Sequence, residues 1–142
     1  MVRGGFIMEL NEYQKRAMET CMPSCENISY MLLNLVGEVG EFSSKIAKAI
    51  RKKQVSIGGS SSINQNCFTV RNDNPEALDF DILAFDEELK KEAGDILWQL
   101  SGLCKVMGWS LEDIAQMNLD KLAARKEAGT IDGNGDGIIR EK

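Results

Sequence analysis

Histidine is absent from all 142 residues, so the commonest zinc ligand and the usual general base near neutral pH are both missing. The four cysteines (Cys21, Cys25, Cys67 and Cys104) follow no zinc spacing and read as reduced thiols of a cytoplasmic protein. There is no run of 18 apolar residues and no secretory pattern, so no membrane association is expected. The opening "MVRGGFI" is too short for the apolar core of a signal and reads as an extension before Met8. Positive charge is also short. With 17 Lys and Arg against 22 Asp and Glu, the net charge is −5 and the pI about 4.8. Such a chain gains little from counterion release, which argues against a nucleic-acid polymer as partner, although a local basic patch can still hold a phosphate. Any metal chemistry must then rest on carboxylates, which suit a hard ion such as Mg²⁺.

What is present is helical periodicity, on a length that suits one domain (residues 1–142) with a modest core. Four helices are expected. The first spans residues 11–21, with Asn11 as N-cap, Gln14 in a capping-box position and Pro23 closing it. The second spans 27–53, its apolar stripe running through Leu32, Leu35, Val39 and Ile46 and its last turn basic. The third spans 86–107, with Leu89, Ile96, Leu100, Leu103 and Met107 on one face and Gly108 at its end. In the fourth, Ser110 caps a helix that runs to Ala128, with Gly129 beyond it. Residues 54–85 are rich in Gly, Ser and Asn and read as an insertion or lid, in which "VSI" and "CFTV" can pair as a short hairpin. The fold class is therefore all-α, of four-helix-bundle type.

The chemistry concentrates on two acidic pairs. "GEVGEF" puts Glu38 and Glu41 three residues apart on the second helix, and "EAGD" puts Glu92 and Asp95 three apart on the third. On the helical wheel each pair borders its apolar stripe, so the two can converge on one cavity. Four carboxylates held close repel one another unless cations neutralise them, which is the physical case for Mg²⁺. The competing reading is a solvated acidic face. Gly37 and Gly40 lie inside the second helix at a cost of about 1 kcal/mol each relative to alanine, and close approach of another helix is the favoured explanation. On the fourth helix, Asn118, Lys121 and Arg125 share a side with Leu111, Ile114 and Leu122. Polar and basic groups on a face expected to be buried suggest an anionic ligand, while service to the helix dipole explains Arg125 alone.

Taken together, these motifs resemble the MazG-like family of all-α nucleoside triphosphate pyrophosphohydrolases, in particular its small phage-type members. The family's E-x-x-E followed by E-x-x-D is matched by Glu38-x-x-Glu41 and Glu92-x-x-Asp95, and "NEYQ", "LLNLVGEVGEF", "EELKKEAGDILWQL" and "WSLEDIAQMNLDKLAARKEAG" are similar to family blocks. The resemblance implies Mg²⁺, with Mn²⁺ as a possible substitute, held by Glu38, Glu41, Glu92 and Asp95. It implies hydrolysis of an NTP to NMP and pyrophosphate, with Glu38 or Glu41 as base or water-orienting group. Asn118, Lys121, Arg125 and Lys48 match positions that approach the triphosphate. A homodimer or homotetramer with sites near subunit contacts is implied as well. One departure stands out: fifty residues separate Glu41 from Glu92, and the excess lies in the insertion, where it could cover the base.

"IDGNGDGII" (131–139) suggests a different protein, a calcium-binding EF-hand loop. Its twelfth position would be residue 143, past Lys142, and the preceding helix is expected to stop at Gly129. The same residues fit a glycine-rich tail over 129–142 of the kind phage-type members carry, matched by Gly129, Thr130, Gly133, Gly135 and Asp136.

Overall fold

A computed structural model describes residues 7–57, 68–71 and 73–131. The four helices expected are there: α1 (Leu10–Met18), α2 (Ile28–Arg51), α3 (Ile82–Val106) and α4 (Leu111–Glu127). Between α2 and α3, β1 (Val55–Ile57) pairs antiparallel with β2 (Phe68–Val70), Val55 opposite Val70. The hairpin read from "VSI" and "CFTV" is therefore present, Cys67 itself lying outside the described residues. The C-terminal residues from 132 onward also lie outside them, and with them the calcium reading and all but the first three residues of the tail. Among the described residues no helix is long and apolar enough to cross a membrane.

Antiparallel packing of α2 on α3 forms the spine. Met31 meets Gly102, Asn34 meets Gln99, and Lys45 meets Glu88 and Glu92, so residue numbers rise on one helix as they fall on the other. α1 crosses α3 through Trp98, whose indole N–H donates to Ala17 O (3.0 Å) and Thr20 Oγ1 (2.9 Å). Among the described residues the buried apolar ones are few: Met18, Met31, Ala49, Val55, Ala77, Leu89, Cys104 and Leu111. For a chain of this length that is a thin core.

Ser110 caps α4 as expected, accepting from Asp113 N (3.2 Å), and Asn27, at the expected start of α2, caps that helix by accepting from Tyr30 N (2.8 Å). Gly129, at φ +67°, closes α4. Thr130 N donates to Arg125 O and Gly129 N to Lys126 O, the pair of reversed bonds that satisfies the last carbonyls of a helix.

Three expectations fail, each for a physical reason. α1 starts at Leu10, two residues too early for Asn11 to cap it, and Asn11 instead serves α4, accepting from Ser110 Oγ (2.7 Å) and Glu112 N (3.2 Å). Gln14 likewise accepts from Leu111 N (2.9 Å) and donates to Trp109 O (3.0 Å), so a pattern resembling a capping box caps a helix a hundred residues away. α3 begins four residues before Asp86 because Asp81 caps it, accepting from Leu83 N and Ala84 N, which shortens the non-helical segment accordingly. The glycine expectation is the third. A Cβ at Gly40 would meet nothing within 4 Å, and one at Gly37 only Asn34 Oδ1 at 3.6 Å, so among the described residues no other helix approaches them.

The close approach lies instead at Gly102, where a Cβ would overlap Met31 Sδ and sit 2.5 Å from its Cε. Met31 is fully buried, and its Sδ and carbonyl both accept from the Gln99 amide, so it has nowhere to retreat. Gly102→Ala is accordingly expected to destabilise the fold by about 1–3 kcal/mol, the usual range for overpacking. Urea unfolding checks this; an unchanged midpoint would show that Met31 moves freely.

Candidate carboxylate metal centre

The wheel expectation for α2 is off by about 80° of rotation. Leu32 and Val39, expected to face the core, are exposed, while Met31, Asn34, Glu38, Lys45 and Ala49 face α3. The face turned towards α3 is thus polar over two turns, and that is where the acidic pairs meet.

Glu38, Glu41 and Glu92 each offer a carboxylate oxygen within 4.8 Å of the other two, forming a group of possible metal ligands. Asp95, one turn beyond Glu92, is exposed and lies outside that group. Its charge nevertheless contributes to the environment of Glu38 and of Tyr13 on α1. Glu92 is buried. Its Oε1 is held by Lys45 Nζ at 2.7 Å, and its Oε2 is buried with no hydrogen-bond partner among the described residues. A buried carboxylate oxygen without a donor is costly, and a cation supplies what it lacks. The donor set is all oxygen, as hard divalent ions prefer, so these residues fit Mg²⁺ or Mn²⁺.

Burial holds the Glu38 carboxyl above the ordinary carboxylate range, and Glu41 adds to the rise. A hydrogen bond from Asn34 Nδ2 (3.0 Å) opposes it, and Asp95 and Glu92 raise it further. Asn34 also donates to Gln99 Oε1 (2.8 Å), and Gln99 is fully buried, so the Glu38 side chain is anchored to the α2–α3 interface. With its folded pKa raised, ionised Glu38 works against folding above that pKa, and the deficit disappears as pH falls and the carboxyl protonates. In EDTA, Glu38→Gln is therefore expected to melt a few degrees above wild type at pH 7, the gap closing as the pH approaches 4.5. Added Mg²⁺ should raise the wild-type melting temperature much more than the variant's. Thermal melts across pH with and without metal decide it, and equal response of both proteins to Mg²⁺ would remove Glu38 from the centre.

Sequence reasoning missed Lys45, Asn34 and Gln99. Their signal was spacing: Lys45 lies one turn after Glu41 and two after Glu38, and Asn34 one turn before Glu38. Hydrogen bonds donated to Glu92 (2.7 Å) and Glu88 (3.1 Å) hold the Lys45 ammonium above the usual lysine range, so it stays a cation beside the carboxylates.

The basic residues expected at the triphosphate are less gathered. Lys48 lies exposed one turn after Lys45, on the same side of α2. Asn118 and Lys121 are exposed on α4, and no hydrogen bond or ion pair among the described residues joins them to the carboxylates; Arg125 is half-buried. α4 is seated on α1 through its N-terminal turn, and Leu111 is its one buried residue. The larger cavities, about 410 Å³ beside Gln14 and Trp109 and about 430 Å³ beside Tyr13 and Arg16, contain none of the carboxylates.

The family model of the MazG nucleotide pyrophosphohydrolase domain matches residues 26–130, a span that includes both acidic pairs and all of α4. Gene 37 protein of Mycobacterium phage L5 is 30% identical over 136 residues, covering 91% of this chain and 98% of that protein. No solved structure matches. Two helices that bring E-x-x-E against E-x-x-D, within a match over most of the chain, place this protein in the MazG nucleotide pyrophosphohydrolase family.

Proposed function

We propose that this chain hydrolyses a nucleoside or deoxynucleoside triphosphate to the monophosphate and pyrophosphate, as a nucleotide-pool house-cleaning enzyme. The observation that carries the reading is the convergence of Glu38, Glu41 and Glu92, with a buried and unpartnered Glu92 oxygen, in a chain of this family.

Glu38, Glu41, Glu92 and Asp95 would hold Mg²⁺, Asp95 closing in from the exposed side. When bound, the ion supplies charge neutralisation and polarisation of phosphate oxygens. The remaining work belongs to the chain's own side chains. Glu38 is the better placed base of the two glutamates on α2, because burial raises its basicity and Asn34 fixes its orientation. It takes a proton from water as the water oxygen bonds to the α-phosphorus; the bond from that phosphorus to the α–β bridging oxygen breaks, and pyrophosphate leaves with the electron pair. Lys45 balances the charge on Glu92 from the side opposite its free oxygen. Asn118, Lys121 and Arg125 would bind the anionic phosphates, and Lys48, further along α2, would lie against the rest of the nucleotide.

Homo-oligomerisation belongs to the same reading. The face of α2 turned away from α3 is apolar and exposed, and the exposed α4 residues require a bound nucleotide or a neighbouring subunit to be useful. A site completed near a subunit contact accommodates both.

A panel of canonical and modified (d)NTPs with Mg²⁺, resolved by ion-exchange chromatography, tests the reaction. Monophosphate and pyrophosphate in equal amounts support it. Orthophosphate as the product, or no product from any nucleotide, overturns it.

A further inference from the structure

A third cavity, of about 270 Å³, opens beside the carboxylates and shares a wall with them. Lys45 and Lys48 on α2 form one edge, with Glu88 at the start of the shared wall. Phe80, Phe85, Gln54 and Ala49 form the rest. Lys45 joins the two compartments, since its ammonium bonds Glu88 on the cavity side (3.1 Å) and Glu92 on the metal-centre side (2.7 Å).

Its aromatic wall is built rigidly. Phe80 and Phe85 have ring centroids 5.4 Å apart with planes tilted by 59°, and Phe68 of β2 meets Phe85 edge-on at 5.4 Å and 84°. That edge contact ties the hairpin to the first turn of α3 and fixes the Phe85 ring. Both Phe80 and Phe85 are half-buried, so neither ring is used up by the core. Gln54 is anchored by its backbone: its N–H donates to Ala49 O (2.9 Å), and its carbonyl accepts from Arg71 N (3.0 Å). Its side-chain amide makes no hydrogen bond among the described residues and offers both a donor and an acceptor to the cavity. Two aromatic faces, one uncommitted amide and a cationic edge form a site for a planar, hydrogen-bonding ring attached to an anion.

We infer that this cavity is the nucleobase subsite: the base of the nucleotide stacks on Phe80 and Phe85 and is read by the Gln54 amide, with its α-phosphate at the carboxylates. The inference rests on the pyrophosphohydrolase reading for the identity of the ligand. The spacing agrees with it. Seven residues of helix from Glu41 to Lys48 rise about 10 Å, the scale on which a ribose separates base from α-phosphate. The segment that lengthens the stretch between Glu41 and Glu92 thus supplies Gln54 and Phe80, so specificity resides in the part of the chain that departs most from the family spacing.

The test uses Phe80→Leu, which removes a ring but keeps apolar volume, and Gln54→Leu, which removes the amide from a half-buried position with little risk to folding. Calorimetry measures an α,β-methylene triphosphate analogue of the preferred substrate and, separately, inorganic tripolyphosphate, both with Mg²⁺. The expected result is that each variant binds the analogue about ten- to a hundredfold more weakly while tripolyphosphate affinity is unchanged, because stacking on one base is lost but phosphate contacts are not. Analogue affinity unchanged in both variants overturns the subsite. So does equal loss for analogue and tripolyphosphate. Failure of the underlying reading looks different: wild type then releases no pyrophosphate from any nucleotide. If it still binds the analogue in a Phe80- and Gln54-dependent way, the subsite stands without that chemistry.

Discussion

Glu92→Gln is expected to lower the rate of pyrophosphate release by about 10³-fold or more, the scale of losing a group that stabilises charge at the reacting phosphate. Glutamine has the same shape, so the backbone of α3 has no reason to move. What changes is charge at the buried carboxylate of the cluster, with Oε1 on Lys45 and Oε2 without a donor among the described residues. An amide can offer the cluster either a neutral oxygen or an N–H group, and the latter repels a cation outright. The same substitution should weaken Mn²⁺ binding, followed by electron paramagnetic resonance without nucleotide, by at least about tenfold. Glu112→Gln, on the exposed first turn of α4, provides the control and should leave both readouts unchanged. Wild-type turnover in Glu92→Gln would remove the carboxylate cluster from the mechanism.

The reason that centre could be approached from sequence alone is that helical spacing is rigid. Three residues on a helix always bring two side chains onto adjoining faces, so Glu38 with Glu41 and Glu92 with Asp95 were legible as two pairs before any tertiary structure. Which way each helix turns is not so fixed. Leu32, Leu35, Val39 and Ile46 make the more hydrophobic stripe of α2, and a solitary chain would bury it; here the helix turns Asn34, Glu38 and Lys45 to α3 instead. A hydrophobic pattern reports everything a helix will bury, and it does not say against which neighbour. Lys45 was missed for a related reason, since its partners Glu88 and Glu92 lie more than forty residues away and only packing brings them to it. Asn11 and Gln14 show the same limit at longer range. Their spacing is a capping pattern, but the N–H groups they satisfy belong to the chain entering α4, and local sequence carries no record of that address.

The rotation of α2 leads to the second large effect: Val36→Asp is expected to convert a stable oligomer into monomer, raising the dissociation constant by about 10³-fold or more. Leu33 (73% exposed), Val36 (69%), Leu32 (52%) and Val39 (46%) form a contiguous apolar strip on the side of α2 away from α3. Between them lie Gly37 and Gly40, neither with a crowding neighbour among the described residues. Each glycine costs the helix about 1 kcal/mol, and an interior glycine with nothing close by makes physical sense once another helix packs against it. A strip of apolar residues interleaved with small ones is such a packing surface, and the thin core of the chain leaves it short of burial without one. In a two-fold assembly the strip meets itself, so one substitution places two unpaired carboxylates in the contact, each costing several kcal/mol to desolvate. Gly40→Ala sharpens the test, because it should stabilise an isolated helix slightly but weaken an assembly in which a second backbone comes close. Sedimentation equilibrium at micromolar concentration measures both. A monomeric wild type, or Val36→Asp retaining the wild-type mass, would leave the strip a bare surface. Dissociation by Val36→Asp with simultaneous loss of pyrophosphate release would place the catalytic site at the subunit contact, because Val36 itself lies on the face of α2 turned away from α3 and the carboxylates.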